Sequence, residues 1–199
     1  MKKIISTFLL SLIFANPAFA AKADPKVEQY VDTLVEKVST MLNDPAISEE
    51  QKVKRSRQLM AENLDLEWMA KYSLGRHRKE LDMPQLKDFT KIYSSYVIKT
   101  YSDLVRNYKG QKAVIKKVSN LDDAEYIVKT EVIQNGQPSI KVDYLVRDIG
   151  AVKGKKVALK ISDVITEGVS MINSQQSEFN SMISNGGIDA LMTELKKKI

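Results

Sequence analysis

The chain contains no cysteine and a single histidine. The first absence excludes disulfide scaffolds, thiolate zinc sites, iron–sulfur clusters and thiol nucleophiles together. The second leaves little room for metal or Ser-His-Asp chemistry. Glycine and proline are scarce, at 8 and 5 of 199 residues, which excludes collagen-like and low-complexity chains. Long apolar runs are also missing. The best one, 4–15, is interrupted by Ser6, Thr7 and Ser11, and a membrane-spanning helix needs about 20 predominantly apolar residues. The catalytic motifs fail in turn: Gly168-Val169-Ser170 lacks the second glycine of a nucleophile elbow, because Ile172 stands in its place. What is present is a 43% hydrophobic chain, too apolar for disorder and long enough to bury one sizeable core.

The first twenty residues read as an export leader. Lys2 and Lys3 precede the apolar run, and Ala18-Phe19-Ala20 places small residues at the −3 and −1 positions of a cleavage site. Cleavage after Ala20 leaves a single exported domain over 21–199. No cysteine follows the site, so a lipoprotein anchor is not expected. The net charge of +6 falls to +4 with the loss of the two lysines.

Helical periodicity comes next. Residues 25–42 carry Val27, Val31, Leu34, Val35 and Val38 on one face. Ser48-Glu49-Glu50-Gln51 has the form of a capping box opening a second helix to about Glu62. Asp65 caps a third, ended by Gly75. Asp82-Met83-Pro84-Gln85 starts a fourth, whose apolar and aromatic stripe runs from Leu86 to Tyr108. After Gly110 the period becomes 2. Strands are expected with Val114, Lys116 and Val118 on one face, over 124–134, over 139–147 after an Asn135-Gly136 turn, and with Val157, Leu159 and Ile161 on one face after a loop holding Gly150 and Gly154. Helical spacing returns over 170–183, and Asn185-Gly186-Gly187 sets off a last helix, 188–198. The pattern predicts an α+β fold: a curved antiparallel four-stranded sheet with helices before and after it.

Polar candidates are few. His77, in the basic turn Gly75–Lys79, reads as an exposed loop residue. Asp122-Asp123 lies at a strand start, and Asp143 falls on the charged strand face, where solvation accounts for it. The basic clusters Lys52–Arg57, Arg76–Lys79 and Lys196–Lys198 suit an anionic membrane surface or an acidic partner, or form solvated helix faces. An exported chain makes nucleic acid an improbable partner. Tyr93, Tyr96, Tyr101 and Tyr108 suit either a helix core or the wall of a cavity open to water.

Residues 66–76 (Leu-Glu-Trp-Met-Ala-Lys-Tyr-Ser-Leu-Gly-Arg), then Phe89, Thr100-Tyr101, Leu104 and Tyr108, are similar to the MlaC, or toluene-tolerance, family of periplasmic phospholipid-binding proteins. So are Asp163-Val164, the block Glu167-Gly168-Val169-Ser170-Met171, Phe179, Gly186, Leu191 and Leu195. The resemblance spans nearly all of the chain beyond residue 20. Arg78 and Leu159 stand where the family often has Trp, and Gln175-Gln176 where it often has Tyr-Arg.

The resemblance implies an NTF2-like fold enclosing an apolar pocket, a monomer, and no cofactor beyond phospholipid held as cargo. It implies glycerophospholipid carried between the outer-membrane lipoprotein MlaA with its porin and an inner-membrane ABC transporter with an MCE-domain ring. That traffic maintains outer-membrane lipid asymmetry without chemistry. Joined to the apolar strand faces, it assigns the pocket wall to Val128, Val132, Val142, Tyr144, Val146, Leu159 and Ile161. Tyr101 and Leu104 of the long helix and Val169 complete the wall, while Asp163 and Ser170 hydrogen-bond the turn around Gly168. Two other readings remain at this stage: an exported isomerase or hydrolase on the same cone, for which Asp143 would have to face inward, and a pocketless adaptor with a filled core.

Overall fold

A computed structural model describes residues 24–134, 136–152, 156 and 158–199. The expected leader, together with Asn135, Gly154 and Val157, lies outside the described residues. Three helices come first: α1 (Pro25–Asn43), α2 (Glu49–Asn63) and α3 (Leu66–Ser73). A 3-10 turn, Gly75–Glu80, leads to α4 (Met83–Ser102), and a second, Asp103–Asn107, leads to the sheet. Strands β1 (Lys112–Asn120), β2 (Glu125–Gln134) and β3 (Gln137–Asp148) are followed by a short α5 (Ile149–Val152). Then come β4 (Leu159–Thr166), β5 (Val169–Ser170) and α6 (Met171–Lys197).

Helix starts follow the local signals. Ser48 with Gln51, and Asp82 with Gln85, form reciprocal capping boxes, and Asp65 accepts from the Trp68 N–H. The long stripe overshoots its helix, however: α4 ends at Ser102 rather than at Tyr108. There Arg57 Nε donates to Ser102 Oγ at 3.1 Å, and Arg57 and Lys99 both bind the Asp103 carboxylate, so the chain tightens into a 3-10 turn. The two helices expected over 170–183 and 188–198 both lie within the span labelled α6, separated by a break at Gly187, whose φ of 75° and ψ of 177° no α-helix contains. His77 is buried rather than exposed, its Nδ1 2.9 Å from a Glu80 carboxylate oxygen. The 3-10 turn rotates it inward, which a tally of basic neighbours does not register.

The sheet is antiparallel, in the order β1-β2-β3-β4-β5. It has five strands, not four. The fifth is two residues long and follows a Glu167-Gly168 turn with φ of 49° and 82°; Thr166 pairs with Val169 across it. A two-residue hairpin loop favours positive φ at both central positions. Glycine adopts this freely and glutamate does not, and Glu167 is held there by exchanging hydrogen bonds with the Lys141 backbone.

Register shifts reset the alternation within strands. Ile115 pairs with Thr130 but Lys117 with Lys129, so Lys116 is an extra residue. Val114 is consequently exposed, while Ala113, Ile115 and Val118 face inward, correcting the face expected for the first strand. In β4, Leu145 pairs with Asp163 and Val146 with Ile161, leaving Ser162 as the extra residue.

Two packed clusters result. One joins α3, α4 and α6 through Met69, Leu74, Phe89, Tyr93, Val97, Ile172, Phe179 and Leu191, with Phe179 edge-on to both Phe89 and Tyr93. The other seats Val27 and Val31 of α1 on Val118, Tyr126, Val128, Val146 and Ile161 of the sheet. The clusters are tied at the α2–α3 link, where Leu64 forms a parallel bridge to Ile161 and the Asp65 N–H donates to the Ile161 carbonyl at 2.8 Å. Asp148 closes the far end of β3. Burial acts against its charge, but the N–H groups of Ala158, Ala151 and Gly150 hold its carboxyl below the usual range.

Arg147 makes a second tie. It pairs with Asp65 at 2.9 Å and Glu125 at 3.0 Å while its guanidinium lies 4.6 Å from the centre of the Trp68 ring. Arg147→Ala strands two carboxylates, one of them well shielded, and is expected to cost about 2–3 kcal/mol in urea unfolding. Arg147→Lys restores only part of that loss, because it lacks the planar fork and the stacking face. An alanine variant as stable as wild type would show that the cluster contributes no net stability.

Candidate functional site

Away from the α2–α3 link the two clusters stand apart. Between them lies an apolar cavity of about 950 Å³, near the top of the ~300–1,000 Å³ range of ligand pockets. One wall is α1, through Val31, Leu34, Val35, Val38 and Leu42, and a second is α2 and the link after it, through Leu59, Met60 and Leu64. The C-terminal end of α4 and the following turn add Tyr96, Val97, Tyr101, Leu104 and Val105; the sheet adds Ala113, Val132, Ile140, Val142, Tyr144, Ile161 and Val164. The mouth is rimmed by Leu104 and Val169, which are 56% and 63% exposed. Exposed apolar residues at a rim suit a ligand that enters with its own apolar part first.

Seven of the ten sequence-assigned wall residues line this space: Tyr101, Leu104, Val132, Val142, Tyr144, Ile161 and Val169. The other three do not. Val128 and Val146 are fully buried beneath α1, and Leu159 packs against the same cluster. They share the inward face with Val142 and Tyr144, but α1 covers that end of the sheet and leaves the other end open. Sequence reasoning missed the contribution of α1, although its stripe was visible; a stripe shows that a face is apolar, not what lies opposite it. It also missed Val164 and Thr166, which the extra residue Ser162 turns into the cavity.

Polar atoms in the wall are sparse and mostly occupied. Gln175, 4% exposed, accepts from the Tyr93 hydroxyl at 2.6 Å and donates to the Tyr101 oxygen at 3.4 Å. Asn63 accepts from Tyr30, whose hydroxyl burial pushes up to about 12. Burial likewise raises Tyr96, Tyr101 and Tyr144 above the ordinary phenol value, so all three are protonated near neutral pH. Asp143 is not among the lining residues. The carboxylate that does line the cavity is Glu178, exposed and 3.8 Å from the Lys198 ammonium.

Asp163 and Ser170 secure the mouth. Asp163, 3% exposed, accepts from Ser170 Oγ at 2.5 Å and from the N–H groups of Val164 and Ile172. Ser170 in turn caps α6 through the Asn173 N–H at 3.1 Å. The pair therefore fixes the first turns of α6, which present Ser174, Gln175 and Glu178 to the cavity.

The MlaC protein family model matches residues 28–197. The chain belongs to the MlaC family. A curated relative, the intermembrane phospholipid transport system binding protein MlaC of Haemophilus influenzae, is 26% identical over 200 residues, covering 97% of this chain and 90% of that protein. In the solved structures, the phospholipid-binding protein of Ralstonia solanacearum, determined in complex with a phospholipid, superposes with a TM-score of 0.68 at 21% identity. The match covers 89% of this chain and 97% of that one. At that identity the likeness establishes the shared fold. MlaC-family membership agrees with the resemblance read from residues 66–76 and the Glu-Gly-Val-Ser block.

Proposed function

We propose that this protein is a periplasmic phospholipid carrier, exported by its leader, that shelters the acyl chains of a glycerophospholipid while leaving the headgroup in solvent. The observation that carries the reading is an open-mouthed apolar cavity in a chain of the MlaC family. The physics supports it. Exposing two chains of about 30 CH2 groups to water costs about 24 kcal/mol at about 0.8 kcal/mol per group, whereas an apolar cavity exchanges one apolar surrounding for another. Loading and release then both lie near balance. Such a task needs no acid or base, and among the described residues the one carboxylate that lines the cavity is the exposed Glu178. The Haemophilus influenzae relative is named as the binding protein of an intermembrane phospholipid transport system, which supports carriage of lipid between two membranes. The partners proposed here, an outer-membrane MlaA–porin complex and an inner-membrane ABC transporter with an MCE ring, and a role in outer-membrane lipid asymmetry, rest on the family resemblance.

The basic surface divides in two. Lys52 caps the Leu42 carbonyl and Arg57 holds Ser102 and Asp103, so both serve the fold. Lys54 and Arg55 have no ion-pair partner among the described residues and are exposed. Uptake of fluorescent phospholipid from anionic vesicles tests function and surface together. Uptake is expected, and it should slow as salt shortens the Debye length from about 10 Å at 0.1 M to about 3 Å at 1 M. Neutralising Lys54 and Arg55 should slow it without changing the amount finally bound. No uptake at any salt would contradict the carrier reading; uptake indifferent to salt and charge would leave these residues as a solvated face.

A further inference from the structure

We propose that the Tyr101 hydroxyl donates a hydrogen bond to an ester carbonyl of the cargo, so that the cavity prefers ester-linked to ether-linked phospholipid; this rests on the carrier reading. The argument starts from Tyr93. Its ring is fully buried and its hydroxyl has one partner, the Gln175 side-chain oxygen at 2.6 Å. A buried hydroxyl that loses its acceptor is costly, and turning the Gln175 amide over would remove that acceptor. The amide is therefore locked, and its Nε2 must face Tyr101, to whose oxygen it donates at 3.4 Å.

The chain of donors has a direction: Tyr93 to Gln175 to Tyr101. The Tyr101 oxygen is used as an acceptor, which leaves its own proton to give away. No acceptor for it exists among the described residues, and Tyr101 lines the cavity. Burial foremost, and the neighbouring Tyr96 after it, raise the Tyr101 hydroxyl above its ordinary value, so the proton is present at neutral pH. The cavity thus holds a pre-set donor near its mouth, beside Leu104. A phospholipid offers two kinds of acceptor there, the phosphate and the ester carbonyls. Glu178 lines the same cavity and its charge raises the Tyr101 value further; it disfavours an anionic phosphate at this point and leaves a neutral carbonyl as the fitting group.

The test uses a diacyl phosphatidylglycerol and its dialkyl ether analogue of equal chain length, which keeps the phosphate and lacks both carbonyls. Delipidated wild type and Tyr101→Phe are titrated with each, and melting is recorded for both proteins. Wild type should bind the ester lipid about three- to tenfold more tightly, the range that one net hydrogen bond supports. Tyr101→Phe should bind the two lipids equally, at the wild-type affinity for the ether lipid, with melting lowered slightly because the Gln175 Nε2 loses its acceptor. Equal binding of both lipids by wild type would overturn the proposal while leaving the carrier reading intact. So would an equal loss for both lipids in Tyr101→Phe, which would identify the phosphate as the acceptor. Failure of wild type to bind either lipid would overturn the carrier reading along with it.

Discussion

Val142→Trp is expected to empty the cavity of lipid while leaving the lipid-free protein almost as stable as wild type. Val142 sits mid-strand between Thr130 and Thr166, with its side chain in the cavity wall. Its carbonyl receives the Thr130 hydroxyl, a backbone contact that the substitution keeps. An indole added here extends into space that cargo otherwise fills. Lipid content should fall at least about tenfold, equivalent to about 1.4 kcal/mol of lost affinity, with a stability change below about 1 kcal/mol. Val128→Trp is the contrast. Val128 lies on the same sheet face but is fully buried under α1, so overpacking should cost about 3 kcal/mol or more. The comparison requires delipidated proteins, because bound ligand raises apparent stability by mass action. If Val142→Trp melts as low as Val128→Trp and still carries lipid, Val142 belongs to a closed core and the cavity wall has been placed wrongly.

The second large effect is expected at Asp163. Asp163→Ala leaves the buried Ile172 N–H and the Ser170 hydroxyl without their acceptor, and each such loss typically costs about 1–3 kcal/mol. A net loss of about 3 kcal/mol is expected, read as a lowered urea midpoint. The start of α6 should loosen with it, and since α6 presents Ser174, Gln175 and Glu178 to the cavity, lipid retention should fall as well. Asp163→Asn keeps one carbonyl oxygen for the Ile172 N–H and should recover part of both losses. A stable Asp163→Ala protein with normal lipid content would show that the Ser170 cap alone holds the helix.

Local chemistry was legible in the sequence; the cavity was only half so. Ser48, Asp65 and Asp82 announced helix starts because a cap and the N–H groups it satisfies lie within one turn. The end of α4 was not legible, since it depends on Arg57, 45 residues away, reaching Ser102. The extra residues at Lys116 and Ser162 were hidden for a similar reason: a bulge exists only against a partner strand. The alternation over 126–132 and 140–146 identified the apolar face correctly, yet Val128 and Val142 look alike in it. What separates them is where α1 crosses the sheet, a tertiary fact. The stripe on α1 showed an apolar face without showing what it meets, and in the structure Leu34, Val35 and Val38 line the cavity.

The most direct measurement is native mass spectrometry, with organic extraction, of protein recovered by gentle lysis from cells that export it. About one glycerophospholipid per chain is expected, with weak headgroup selectivity, because no cluster of cationic side chains lines the cavity among the described residues. Protein that emerges free of lipid from cells with intact membranes, and that takes up none from vesicles, would contradict the assignment of this cavity to acyl chains.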